Sequence, residues 1–193
     1  MTMVRADRRT SLAVAPLMLR SSLLLTCSAF ALVVLGQADA PKPPAWTTWK
    51  GAGVALAHPV EWTADGSGVQ GTTVAFMSPM DSGDVFRENV SLRLEETQEK
   101  DLHAYVGTSE QWITMELPKG VLIHSGATRN STGELHQLEY TAEVSGLPVH
   151  CKQVVRLRDG KAYWLTFMAQ ADAWEEMLYI ADAVMDSFKW VDK

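Results

Sequence analysis

Two dipeptides, Ser145-Gly146 and Asp159-Gly160, separate three runs of alternating residues at 134–144, 147–158 and 161–169. A two-residue hairpin loop needs positive φ at both positions, and Asp-Gly between alternating runs is the strongest short signal for one. Three consecutive antiparallel strands follow, with their register set by the turns. Val144 should face Leu147, which places Glu139 opposite Lys152 and Tyr140 opposite Cys151. Arg158 should face Lys161, which places Arg156 opposite Tyr163 and Val155 opposite Trp164. Side chains alternate across a strand, so the register also sorts the faces. Tyr140, Cys151, Val155, Trp164 and Met168 share one face. Val154, Tyr163, Leu165 and Phe167 share the other, diluted by Lys152 and Arg156. An antiparallel sheet that is apolar on both faces needs cover on both.

The rest of the chain supplies further strands and that cover. Residues 53–57, 69–77, 89–95 and 121–127 read as strands, the third with Val90, Leu92 and Leu94 on one face. Asp101 is a suitable N-cap for a helix on which Leu102, Tyr105, Val106, Ser109 and Ile113 recur at helical spacing. Pro118-Lys119-Gly120 ends it. A last helix carries Trp174, Met177, Leu178, Ala181, Val184 and Phe188 on one stripe, with Asp172 and Glu175 as its capping pair. The expected fold is α+β: a mainly antiparallel sheet of about six or seven strands, covered by helices on both faces.

The N-terminus is of another kind. Arg5, Arg8, Arg9 and Arg20 against Asp7 precede a charge-free run at 23–35, then Gly36-Gln37-Ala38. A basic stretch, a short apolar core and small residues at −3 and −1 are the marks of an export signal. The apolar run falls short of the ~20 residues a spanning helix needs. Residues 1–38 therefore read as a signal peptide, 39–48 as a proline-rich extended linker, and 49–193 as the folded domain. Cleavage after Ala40 also satisfies the small-residue rule but leaves Pro41 beside the cut, and Met18 offers a second start. The expected destination is the periplasm or the extracellular space, or the thylakoid lumen in a photosynthetic source. No membrane span is expected in the mature chain.

Cleavage changes the charge. The whole chain has 17 basic and 23 acidic residues, a net of −6. Residues 1–38 hold four basic and one acidic residue, so the remainder carries 13 and 22, a net of −9. No basic excess exists to neutralise a phosphate backbone, which excludes a nucleic-acid partner. Of the two cysteines only Cys151 remains, so no internal disulfide forms.

Chemistry-bearing residues are sparse. Cys151 follows His150, but strand neighbours point to opposite faces and cannot form a dyad. The five histidines are scattered, and no phosphate loop, serine-nucleophile motif or zinc spacing occurs. No enzyme activity and no cofactor are expected. Asp81, Asp84 and Glu88 lie in one turn and form an oxygen-rich candidate site for a small ligand or a divalent cation. Asn89 beside Glu88 suits hydrogen bonding to a turn backbone, with binding as its other role. Most of the seven tryptophans belong in a core, with Trp46 and Trp49 of the linker as exposed anchors for a partner.

An ordered set of motifs spans roughly residues 49–190. It runs from His58-Pro59 with Trp62, through Phe76-Met77-Ser78-Pro79 and Phe86-Arg87-Glu88-Asn89-Val90, to Leu102 and Tyr105. Gly146 and Pro148, Gly160-Lys161-Ala162-Tyr163, Leu165-Thr166-Phe167 and Ser187-Phe188 complete it. This set resembles the PsbP/DcrB-like group of small exported or lumenal proteins, in particular the bacterial branch with a Phe-x-Glu-Asn-Val motif. The resemblance implies an α-β-α sandwich, usually without enzymatic activity. It also implies an accessory or binding role through contact with an envelope or lumenal protein. The metal-binding residues of plant members have no matching positions here.

Overall fold

The computed structural model describes residues 44–80 and 82–191. The signal segment 1–38 and the linker as far as residue 43 lie outside the described residues, as does Asp81.

The three strands around the two turns are β7 (Gly133–Val144), β8 (Leu147–Arg158) and β9 (Lys161–Gln170). Their register is the one the turns dictate: Val144 faces Leu147, Tyr140 faces Cys151, Arg158 faces Lys161 and Val155 faces Trp164. Both turns have positive φ twice, at 53° and 83° for Ser145 and Gly146 and at 52° and 73° for Asp159 and Gly160. These strands belong to a seven-stranded antiparallel sheet. The others are β3 (Thr63–Asp65), β4 (Val74–Met77), β5 (Asn89–Glu96) and β6 (Val121–Asn130), in the order β3-β4-β5-β9-β8-β7-β6.

A second sheet of three strands was not anticipated. It joins β1 (Trp46–Gly51), β2 (Val54–Pro59) and β10 (Lys189–Trp190) in the order β1-β2-β10. The stretch expected to remain linker through Thr48 is therefore strand from Trp46 onward. Trp46 faces Pro59, and the prolines stop at Pro44, so nothing from Trp46 on blocks the ladder. The strand expected at 69–77 begins only at Val74, because Gly68 and Gln70 at positive φ coil residues 69–71 into a tight turn.

The helices are α1 (Leu102–Met115) and α2 (Trp174–Asp186). Asp101 caps α1 as expected, its Oδ1 accepting from the His103 and Ala104 amides at 2.9 and 3.0 Å. The Asp172/Glu175 capping pair does not form at α2. Ala173 occupies the cap position with no side-chain bond, and Glu175 and Glu176 face the first-turn dipole instead. Gly120 lets β6 follow α1 closely, since a Cβ there would lie 1.9 Å from the Ile113 carbonyl.

Alternate strand residues enter two separate apolar clusters. Leu138, Tyr140, Cys151, Val155 and Trp164 pack with Leu102, Val106 and Ile113 of α1. Phe76, Val90, Leu92, Val154, Leu165 and Phe167 pack with Trp174, Ala181, Val184 and Met185 of α2, and with Val54 and Leu56 of β2. Each fully buried Leu or Phe contributes roughly 1.5–3 kcal/mol through burial. Glu139 and Lys152 face each other as expected, but neither bonds the other. Glu139 takes His150 at 2.9 Å, and Lys152 reaches Asp182 of α2 at 2.6 Å.

Candidate functional site

The strand β5 is two-sided. Val90, Leu92 and Leu94 turn into the α2-side cluster, so Arg93 and Glu95 project from the α1 face. Arg93 lies directly across from Trp164 of β9, and its Cζ stands 5.9 Å over that ring. On α1, Tyr105 and Trp112 are seven residues apart and share a flank. The flank and the strands enclose a cleft of about 520 Å³, with Glu99 at its edge. That volume is within the usual range for ligand pockets.

The cleft has a closed polar floor. Trp164 Nε1 donates to Tyr105 Oη at 3.1 Å, and Tyr105 Oη donates to Glu95 Oε2 at 2.5 Å. Arg93 Nη2 completes the chain at 2.7 Å from Glu95 Oε1. Burial, reinforced by the hydrogen bond to Glu95, pushes the Tyr105 phenol up to about 12, so it stays a neutral donor. Trp112 is 51% exposed at the lip. A large aromatic ring in water beside a preformed cleft is a contact feature rather than a core one.

Thr108 and Ser109 also line the cleft, with no histidine or cysteine among the lining residues. Cys151 is elsewhere, 1% exposed, and burial pushes its thiol up to about 12. Ser125, His136 and Glu110 meet where α1 crosses β6 and β7. Ser125 Oγ is in hydrogen-bond contact with Glu110 Oε1 and lies 2.7 Å from His136 Nε2. His136 is buried, and desolvation, opposed by Glu110, lowers its pKa.

Of the residues singled out from sequence, the described ones, Asp84, Glu88, Asn89, Trp46 and Trp49, do not line this cleft. Asp84 is exposed on the 78–88 turn. Glu88 Oε2 accepts from Ser78 Oγ at 3.3 Å, and Asn89 Nδ2 donates to the Arg87 carbonyl at 3.0 Å. Both brace the base of the loop, together with Arg87 Nε on the Ser78 carbonyl at 2.8 Å. Among the described residues no three His, Cys, Asp or Glu side chains are grouped to hold a metal ion. Trp49 packs against the α2-side cluster, edge-on to Phe76 at 6.2 Å. Trp46 is 40% exposed on the edge strand β1. The cleft residues Arg93, Glu95, Glu99, Tyr105, Trp112 and Trp164 were not anticipated as a group. The available signal was the polar alternate face of β5, where Arg93 and Glu95 stand as a charged pair.

A sequence model of the PsbP family matches residues 48–190. The cyanobacterial PsbP (CyanoP) of Synechocystis sp. PCC 6803 is 20% identical, with a TM-score of 0.58 over 81% of this chain and 98% of its own. LpqN of Mycobacterium tuberculosis, described as involved in cell envelope biogenesis, is 14% identical, with a TM-score of 0.59 over 77% and 91%. PA94 of Pseudomonas aeruginosa, a protein of unknown function, is 15% identical, with a TM-score of 0.54 over 77% and 97%. At these identities the structures share the fold. A comparison with curated proteins finds no match.

Proposed function

Because this chain belongs to the PsbP family, we propose that it is a non-catalytic exported accessory protein that works by contact with another envelope or lumenal protein. The cleft between α1 and the sheet is the site of that contact. The export reading rests on the basic, apolar and small-residue segments of residues 1–38. Among the described residues no helix is long and apolar enough to cross a membrane. The envelope connection of LpqN, a protein of similar fold, is in keeping with such a setting. We read the architecture as helix–sheet–helix layering, supported by the separate clusters that hold α1 and α2. In that reading each helix covers one face, and the cleft opens along the flank of α1.

The observation that carries the proposal is Trp112, half in water beside a cleft whose floor is already locked by the Trp164–Tyr105–Glu95–Arg93 chain. A preformed site loses little side-chain entropy on binding, and an exposed indole supplies a contact anchor. Chemical cross-linking and pull-down from the native envelope fraction test it. The wild-type protein should recover a reproducible partner, and Trp112→Ala should lose it. Recovery of no reproducible partner, or equal recovery by the variant, overturns the proposal.

A further inference from the structure

The chemistry of the cleft narrows what enters it, and this inference rests on the cleft being the contact site. Three aromatic side chains form its walls: Tyr105, Trp112 and Trp164. Its ionised groups are Glu95 and Glu99 with a single arginine, Arg93. An aromatic face attracts a cation within about 6 Å of its centroid, and guanidinium is the commonest protein example. The chain shows this pairing already, since Arg93 lies over Trp164 at 5.9 Å while contacting Glu95 at 2.7 Å. That arrangement occupies one ring and one carboxylate. Trp112 and Glu99 also line the cleft, Glu99 beside the N-terminus of α1 and Trp112 eleven residues past its N-cap. Glu99 Oε1 accepts the Lys100 and Asp101 amides at 2.8 and 2.9 Å. Among the described residues its second oxygen accepts no hydrogen bond. An acidic side chain entering here would meet two carboxylates and three electron-rich ring faces.

We infer that the cleft receives a basic side chain, arginine or lysine, from a partner protein, stacked on the Trp112 ring and attracted by Glu95 and Glu99. The charge of the domain agrees. Without residues 1–38 the chain carries a net −9, which steers it toward a basic partner surface.

The test uses isotope-labelled protein and blocked pentapeptides with a central arginine, lysine or glutamate between glycines. The indole N–H resonances of Trp112 and Trp164 should shift with the arginine and lysine peptides at millimolar concentrations and stay still with glutamate. Glu99→Gln keeps a carbonyl oxygen for the Lys100 and Asp101 amides, so the loop should hold, while peptide affinity falls several-fold. Added salt should weaken binding in the same direction. No Trp112 shift with the arginine peptide, an equal shift with glutamate, or unchanged affinity in Glu99→Gln each overturns the inference. Trp112-dependent binding to phosphatidylcholine vesicles overturns it too, by assigning the cage to a lipid ammonium group. A native partner lost in Trp112→Ala without arginine-peptide binding removes the cation and leaves the contact reading standing. Peptide binding with no Trp112-dependent partner does the reverse.

Discussion

The two sides of β9 are built from neighbouring residues and behave differently. Leu165 and Phe167 enter the α2-side cluster, where α2 and β2 close over them and nearly every partner is apolar. Trp164, next to Leu165 in sequence, enters the α1-side cluster, where its indole nitrogen is hydrogen-bonded and one flank is open as a cleft. The α1 side also holds the Ser125–His136–Glu110 group. Dry packing on one face leaves the other free to carry polar networks and an unfilled groove. Dry packing and an open cleft thus stand on opposite sides of one strand, a residue apart.

The largest expected effect tests the dry side. Phe167 is fully buried, and Phe167→Ala should cost about 3–5 kcal/mol in denaturant unfolding. A loss far below that would mean the α2 side is loosely packed and the contrast fails. Next in size is the one charge buried there. Arg156 is 3% exposed, with Phe188 4.3 Å away and Nη1 lacking a hydrogen bond among the described residues. Burial pushes its guanidinium down to about 10. Arg156→Met should raise stability by about 1–3 kcal/mol, as apolar replacement of buried ions often does. Destabilisation instead would show that Thr132, which accepts from Arg156 Nε at 3.3 Å, and Asp186 need that cation.

The α1 side should respond to acid. His136 is held neutral by burial, so its folded pKa lies below the ordinary value of 6.5. A group lowered on folding contributes stability that is complete above its unfolded pKa and lost as pH falls through the folded one. Glu110 of α1 opposes the shift, while His103 of α1 and His124 of β6 reinforce it. Thermal melts should therefore drop on acidification in the wild type and drop less in His136→Asn. Parallel slopes would sink this assignment. The smallest stability effect is at the lip. Trp112→Ala should change unfolding free energy by no more than about 0.5 kcal/mol, as surface substitutions do. A large loss would make Trp112 a packing residue and remove it from the cleft's binding role.

Legibility from sequence followed the range of the forces involved. The β7–β9 register was readable because two positive-φ dipeptides and a period of two leave one solution. The α1 start was readable because Asp101 lies within reach of two free amides. The α2 start was not, since the Asp172 side chain takes no cap bond and Ala173 holds the cap position. The partners of Glu139 and Lys152 were missed because α2 brings Asp182 to Lys152 from 30 residues away, and His150 lies diagonal to Glu139.

The sequence by itself determined the local geometry: three paired strands, the faces on which Trp164 and Phe167 stand, and the cap of α1. Only the tertiary structure decided that β1 and β10 pair with β2, because strands of six and two residues carry too little pattern to name a partner. The cleft was decided there too. Tyr105 and Trp164 are 59 residues apart, and what joins them is the packing of α1 on the sheet, a contact no periodicity encodes.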